Sequence, residues 1–412
     1  MDNDREDGCY FVGSQLKRRQ FLKSAASVGV VAIPASLASM ATSAATAGSN
    51  GAAAAQTYAK PFAVSGYASK FVGAALEPFN FERRAVGAND VVIDIQFCGV
   101  CHSDIHTADG HWGPQRYPLV TGHEIAGLVV AVGSGVGEFR IGDRVGVGCM
   151  VNSCGHCTEC TAGFEQFCEE GPTMTYGTEV PTNVEPTMTT QGGYSNAVVV
   201  NKNFVIKIPH AVELAAAGPL MCAAITVYSP MRHWGVKKGW TIGIAGMGGL
   251  GHLAVKIAKA LGAEVVVFTS SPDKVNDAKR FGASDVVVNY DQAKLKQYAH
   301  KLDFILNTIP VHHKMDPLVG ALKRDATMCL VGIGDVKQAN QLSPFTTIQR
   351  RNSFAGSLIG GIRETQEVVD FCNLHGILPE YKLVQLPQIN GVWDDVAQKK
   401  ARYRYVLDLR RA

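Results

Sequence analysis

The stretch 240–271 constrains the fold more than any other part of this 412-residue chain. It reads WTIGIA, then GMGGLG, then HLAVKIAKALGA, then EVVVFTSS. An apolar run leads into a glycine turn, an amphipathic run and a second apolar run. Leu250, Leu253, Ala254, Ile257, Ala258 and Leu261 recur at the helical period, so one face of the middle segment is apolar. Gly262 stands where a left-handed residue ends a helix. Strand, glycine turn, helix and strand together form the unit of a parallel sheet covered on both faces. The later runs DVVVNY, LDFILNTI and TMCLVGIG continue the alternation.

The turn itself, Gly246-Met247-Gly248-Gly249-Leu250-Gly251, fits G-x-G-x-x-G in the setting that pattern needs, after a strand and opening a helix. Its glycines let backbone N–H groups approach a pyrophosphate at the helix N-terminus. NAD sites usually carry a carboxylate about 20 residues further on, against the ribose hydroxyl. Here the second strand ends in Thr269-Ser270-Ser271, with Lys274 just beyond. Hydroxyls and an ammonium suit a 2′-phosphate, which a carboxylate would repel. The reading is NADP(H), with Asp273 as the residue that speaks against it.

Eleven cysteines are present, and Cys154, Cys157, Cys160 and Cys168 lie within one loop, spaced C-x2-C-x2-C-x7-C. Four thiolates so placed can close a tetrahedron around a structural zinc ion. An iron–sulfur cluster and two disulfides are the alternatives.

Length suits two domains. With 46% hydrophobic and 18% charged residues and a net charge of +3, the chain is globular, and its cations form no long runs that would ask for nucleic acid. The segment 1–57 stands apart. Arg18-Arg19-Gln20-Phe21-Leu22-Lys23 precedes an Ala- and Ser-rich apolar run and Ala45-Thr46-Ala47, the layout of a twin-arginine export signal. Pro34 and the shortness of the run argue against a stable membrane span. The expectation is a periplasmic protein carried, already folded, by the twin-arginine export machinery, with a cytoplasmic location as the alternative. Residues 58–209 read as mostly β, with no convincing helix before about 160. AAAGPLMCAAITVYSPMRHW reads as one helix, and 210–348 reads as the dinucleotide-binding domain. The segment 349–412 is expected to complete the first domain.

Beyond the glycine turn and the four-cysteine loop stand Cys98-Gly99-Val100-Cys101-His102-Ser103-Asp104, Gly122-His123-Glu124, Gly142-Asp143-Arg144-Val145, Gly192-Gly193-Tyr194, the Pro219 to Cys222 stretch and Arg402-Tyr403-Arg404-Tyr405. Together these motifs, from about 58 onward, resemble the zinc-dependent medium-chain alcohol dehydrogenases of the cinnamyl-alcohol-dehydrogenase-like branch. The resemblance implies a GroES-like catalytic domain beside a Rossmann domain, in a homodimer. It implies Cys101, His123 and Cys222 as ligands of a catalytic zinc, with Glu124 behind the metal and Asp104 orienting His123. Spacing alone does not join these residues. Ser103 would meet the oxygen of a small aldehyde or alcohol, and His106 would pass its proton to water. His102 and Arg404 would face the cofactor phosphates, Trp112 with Leu358 and Ile359 would wall the substrate pocket, and Cys98 would pack in the core. An NAD-dependent polyol or secondary alcohol dehydrogenase, or a catalytically silent zinc- and nucleotide-binding protein, are the rival readings.

Overall fold

The computed structural model describes residues 58–338 and 340–410. The expected export signal lies outside the described residues.

Six parallel strands form one sheet. Across it run Asp285–Val288, Glu264–Thr269, Thr241–Ala245, Leu302–Asn307, Leu322–Leu330 and Ser353–Gly356. In chain order this is 3-2-1-4-5-6, the doubly wound arrangement, whose crevice opens where the order reverses, between the first and fourth strands. Strands covered on both faces are apolar throughout, and Val265, Val266, Val267 and Phe268 are all buried. The helix Gly251–Ala260 lays Leu253, Ala254, Ile257 and Ala258 into the core, and Gly262 follows it at φ +89°.

The sheet extends past the boundary expected at 348. Ser353–Gly356 pairs in parallel with Thr327 to Leu330. Four largely exposed edge residues are too few to display a hydrophobic period, so the sequence does not announce this strand. The chain leaves the nucleotide sheet after 356.

A mixed sheet of seven strands makes the other lobe. Its central strand, Asp90–Val100, lies between Arg404–Asp408 and Glu124–Val132, and Ala197–Asn201 pairs with its first half. Tyr381–Gln385 joins beside Arg404–Asp408, so the end of the chain is part of this sheet. Gly99 faces Glu124 in the register, and a Cβ at 99 would stand 2.0 Å from Glu124 Oε2. Glycine is what admits a buried carboxylate at that point.

Two expectations about helices change. A seven-residue helix, His102–Ala108, begins directly after the central strand, in the region read as free of helix. It is too short to display an apolar stripe, and its start is held by the Asp104 side chain, which accepts from Cys101 N–H at 2.9 Å. The run read as one helix is instead Leu214–Ala217, a 3₁₀ turn at Gly218–Met221 and Ala223–His233, bent by 50°. Gly218 presses on the Glu124 carbonyl, where a Cβ would come within 2.6 Å, and Pro219 has no N–H to continue a helical ladder. Cys222 occupies the break. No single helix among the described residues is long and apolar enough to cross a bilayer.

Candidate active site

A cleft of about 760 Å³ is lined by residues of both lobes. Three elements meet at its floor. Cys101 follows the central strand, His123 and Glu124 stand at the start of its neighbour, and Cys222 sits at the helix break. Donor atoms of these four residues all lie within 4.8 Å of one another, and all four are buried. His123 Nε2 is 3.1 Å from Cys222 Sγ.

Asp104 sets the orientation of that imidazole. Its Oδ1 accepts from His123 Nδ1–H and Gly122 N–H, each at 3.0 Å. Its Oδ2 accepts from Cys101 N–H at 2.9 Å and the Tyr194 hydroxyl at 2.7 Å. A carboxylate at Nδ1 leaves the Nε2 lone pair facing the sulfurs. Hydrogen bonding with Cys222 and the Arg404 charge hold the Cys101 thiol well below its usual range despite burial, and the Cys222 thiol is pushed up in turn. Burial raises the Glu124 carboxyl to about 7, against the pull of Arg404. Arg404 Nη2 stands 3.3 Å from Glu124 Oε1, yet neither carboxylate oxygen accepts a hydrogen bond among the described residues. Two thiols, an imidazole with a free Nε2 and a carboxylate with unspent oxygens fit a zinc ion.

The glycine turn forms the facing wall. Gly246 has φ +96°, and a Cβ there would meet Thr308 Oγ1 at 2.6 Å. At Gly251 a Cβ would strike the Gly246 carbonyl at 2.0 Å, and at Gly249 it would meet Arg404 Nε at 2.8 Å. At Gly248 nothing lies within 4 Å, so the backbone there faces open cleft. Leu250, Thr269, Ser270, Ser271 and Lys274 line the cleft, as do His102 and Arg404. Burial lowers His102 to about 4, leaving its ring neutral. No Asp or Glu occurs among the described residues that line the cleft. A wall with bare backbone, hydroxyls and cations, and without carboxylates, fits a dinucleotide carrying an extra phosphate.

Two family models match the chain, the alcohol dehydrogenase GroES-like domain over 87–210 and the zinc-binding dehydrogenase over 249–373. Aldehyde reductase YahK of Escherichia coli K12 is 45% identical over 84% of this chain and 98% of that protein. A cinnamyl alcohol dehydrogenase of Sorghum bicolor superposes with a TM-score of 0.80 at 37% identity, over 84% of this chain and 98% of that one. The CAD of Helicobacter pylori, solved in complex with NADP(H), has a TM-score of 0.80 at 42% identity, over 85% and 99%. The chain is a zinc-dependent medium-chain alcohol dehydrogenase of the cinnamyl-alcohol-dehydrogenase-like branch.

In this dehydrogenase the remainder of the cleft wall is largely apolar. Trp112, Leu358 and Ile359 line it, together with Met174 and Ile333. Trp112 Nε1–H donates to the Gly334 carbonyl at 2.9 Å, which ties its loop to the far side of the cleft. Cys149 is a lining residue that the sequence reading missed. Hydrogen bonding with Cys222 brings its thiol down to about 6, but a lone cysteine between short strands carries no spacing that would mark it. Cys98 is buried, as expected.

Ser103 lines the cleft with Oγ 3.5 Å from Cys101 Sγ. His106 does not line it. The His106 ring lies against His102 and Trp112, its Nδ1 is 2.9 Å from His111 Nδ1, and its Nε2 is buried without a partner among the described residues. The His106 ring as a whole is half-buried. His111 stands next to it, and only one of the two facing nitrogens can carry the shared proton. Burial, then the charge of His111, lowers the His106 pKa.

The sulfurs of Cys154, Cys157, Cys160 and Cys168 also lie within 4.8 Å of one another, as free thiols. Cys157 N–H points at Cys154 Sγ over 3.3 Å, and Cys160 N–H at Cys157 Sγ over 3.5 Å. Backbone N–H groups, that of Cys160 first, hold the Cys157 thiol down to about 6. Gly163, in the left-handed conformation at φ 84°, turns the chain so that Cys168 can return. Four sulfurs drawn from one loop fit a closed zinc site.

Proposed function

We propose that this dehydrogenase interconverts aldehydes and primary alcohols by hydride transfer with NADP(H) at a zinc centre, acting broadly on aromatic and aliphatic aldehydes. One observation carries the reading: the Cys101, His123 and Cys222 donors converge at the floor of the same cleft that the glycine turn opens onto, with the Glu124 carboxylate within 4.8 Å of them. Cys101, His123 and Cys222 hold the catalytic zinc, with Glu124 behind it, and the four-cysteine loop holds a structural one. When bound, zinc supplies a Lewis acid for the substrate oxygen, and NADP(H) supplies or takes the hydride. The chain's own residues position and protect. Asp104 fixes the imidazole, and the Gly248 backbone and Arg404 take the pyrophosphate. Ser103 Oγ takes or gives the proton at the substrate oxygen, and the His106–His111 pair beside His102 and Trp112 is the group that would exchange a proton with water. Trp112, Leu358 and Ile359 exclude water.

The test is a steady-state assay of the full-length chain with cinnamaldehyde or benzaldehyde. Turnover with NADPH should exceed that with NADH by roughly tenfold or more, the equivalent of one charge-assisted contact. Turnover with NADH alone overturns the cofactor assignment. Cys101→Ala should abolish turnover and bind one zinc ion where the parent binds two, and full activity in that variant overturns the site.

Two coarser readings accompany this one. Arg18-Arg19 supports export to the periplasm, and the fold shared with the relatives accounts for 84 to 85% of this chain. Replacing both arginines by lysine should leave the protein in the cytoplasmic fraction of a host with a working twin-arginine pathway. If it is still exported, the signal assignment is wrong. The exposed edge strand Ser353–Gly356, preceded by the exposed Phe345 and Ile348, supports a homodimer.

A further inference from the structure

We propose that Lys399 and Arg402 complete the pocket for the cofactor 2′-phosphate, Lys399 by facing the phosphate and Arg402 by cancelling Asp273, the carboxylate that would otherwise repel it. The proposal rests on the NADP(H) reading above.

Asp273 lies in the loop after the strand Glu264–Thr269, where a dinucleotide site meets the adenosine ribose. The 3₁₀ turn Pro272–Lys274 sends two neighbours in opposite directions. Lys274 is 6% exposed and lines the cleft, whereas the Asp273 side chain is 63% exposed. Arg402 Nη2 pairs with Asp273 Oδ2, and Arg402 Nη1 lies 3.4 Å from Asp277 Oδ2. The Tyr403 hydroxyl donates to Asp277 at 2.6 Å. Asp273 and Asp277 are therefore both engaged by one short segment, Arg402-Tyr403.

The ammonium groups tell the complementary story. Lys274 Nζ sits 5.5 Å from the centre of the Tyr403 ring and has no carboxylate partner among the described residues. Lys399 follows the helix Ile389–Ala397 in the left-handed region, φ +62°, where its N–H donates to the Val396 carbonyl at 3.1 Å. That turn brings Lys399 to the cleft wall, and no ion pair engages it among the described residues. Its charge is felt at both Lys274 and His102. Two unpaired cations face one carboxylate-free wall beside the hydroxyls of Thr269, Ser270 and Ser271. Their mutual repulsion costs free energy that a doubly charged phosphate would relieve. NAD, which lacks that phosphate, gains nothing from either.

The experiment is equilibrium titration of the full-length protein with NADP⁺, NAD⁺ and 2′,5′-ADP, followed by quenching of intrinsic tryptophan fluorescence, with thermal melts to establish folding. The parent should bind NADP⁺ more tightly than NAD⁺. Lys399→Gln, an exposed change, should weaken NADP⁺ and 2′,5′-ADP roughly tenfold and leave NAD⁺ unchanged. Arg402→Met should do the same, and adding Asp273→Asn to it should restore NADP⁺ binding, an outcome a purely structural arginine does not produce. A parent that prefers NADP⁺ together with variants that keep that preference, or lose both cofactors equally, overturns this proposal and leaves the NADP(H) reading intact. A parent that prefers NAD⁺ overturns both.

Discussion

Asp104 carries more of this site than any ligand does, because four donors converge on one side chain that is wholly buried. Asparagine at 104 has the same shape but a single acceptor oxygen, and its NH₂ would face N–H or O–H donors on one side. At least one donor there is stranded in a dry setting. Asp104→Asn should lower stability by roughly 2–4 kcal/mol and weaken zinc binding about 10- to 100-fold, through a His123 ring no longer held in one tautomer. Thermal unfolding and competition with a chromogenic chelator measure the two effects. Unchanged melting together with unchanged zinc retention would remove Asp104 from this role. At this scale, what could be read from the sequence followed distance along the chain. The four cysteines of one loop announce themselves, because their closure needs no other element. Cys101, His123, Glu124 and Cys222 do not, because what unites them is an antiparallel register and a broken helix; only the family resemblance joined them. Arg402 belongs to a recognisable motif, but its partner Asp273 is 129 residues away, and nothing local tells which charge it cancels.

Among the elements, the helix Gly251–Ala260 was legible from its apolar stripe, but its second residue does work that no stripe reveals. His252 is buried, with Nδ1 3.3 Å from the Gly248 carbonyl and Nε2 accepting from Glu380 N–H at 3.1 Å. Its ring stacks on Tyr403 at 5.1 Å. A neutral imidazole thus links the cofactor turn to the segments that enter the mixed sheet. Burial, then the charges of Lys256 and Arg404, holds its pKa well below the usual histidine value. The sign follows from which state binds the proton. As pH falls through about 6.5 the unfolded chain takes up a proton that the folded chain refuses, so stability present at neutral pH is lost in acid. His252→Gln should cost roughly 1–3 kcal/mol at pH 7. It should also unfold in urea with a shallower loss of midpoint between pH 7 and pH 5.5 than the parent shows. Equal pH slopes in the two proteins would mean that His252 is not the group being titrated. The helix His102–Ala108 and the strand Ser353–Gly356 escaped the sequence for a common reason. At seven and four residues, neither is long enough for periodicity to separate it from a loop.

Each lobe of the molecule is built on an open sheet, and the parallel one ends on a strand with exposed apolar residues. Arg404–Asp408 and Tyr381–Gln385 return to the mixed sheet, but nothing follows Ser353–Gly356 across the parallel one among the described residues. An uncovered edge strand offers a row of unpaired backbone groups, and here Phe354 is 47% exposed on that strand, with Phe345 at 66% and Ile348 at 73% just before it. Soluble proteins seldom leave such an edge without charge or cover, and a two-fold axis beside it would pair each strand with its own copy, making one continuous sheet of two. Phe354 is not among the residues that line the cleft, which begin at Ser357 on this segment. Phe354→Lys therefore separates assembly from chemistry. It places a charge on the edge without touching the zinc or cofactor residues. The parent should sediment as a dimer at micromolar concentration and the variant as a monomer, with zinc content and NADP⁺ binding retained in both. A parent that sediments as a monomer refutes the dimer, and a variant that remains dimeric shows that the subunits meet through some other face.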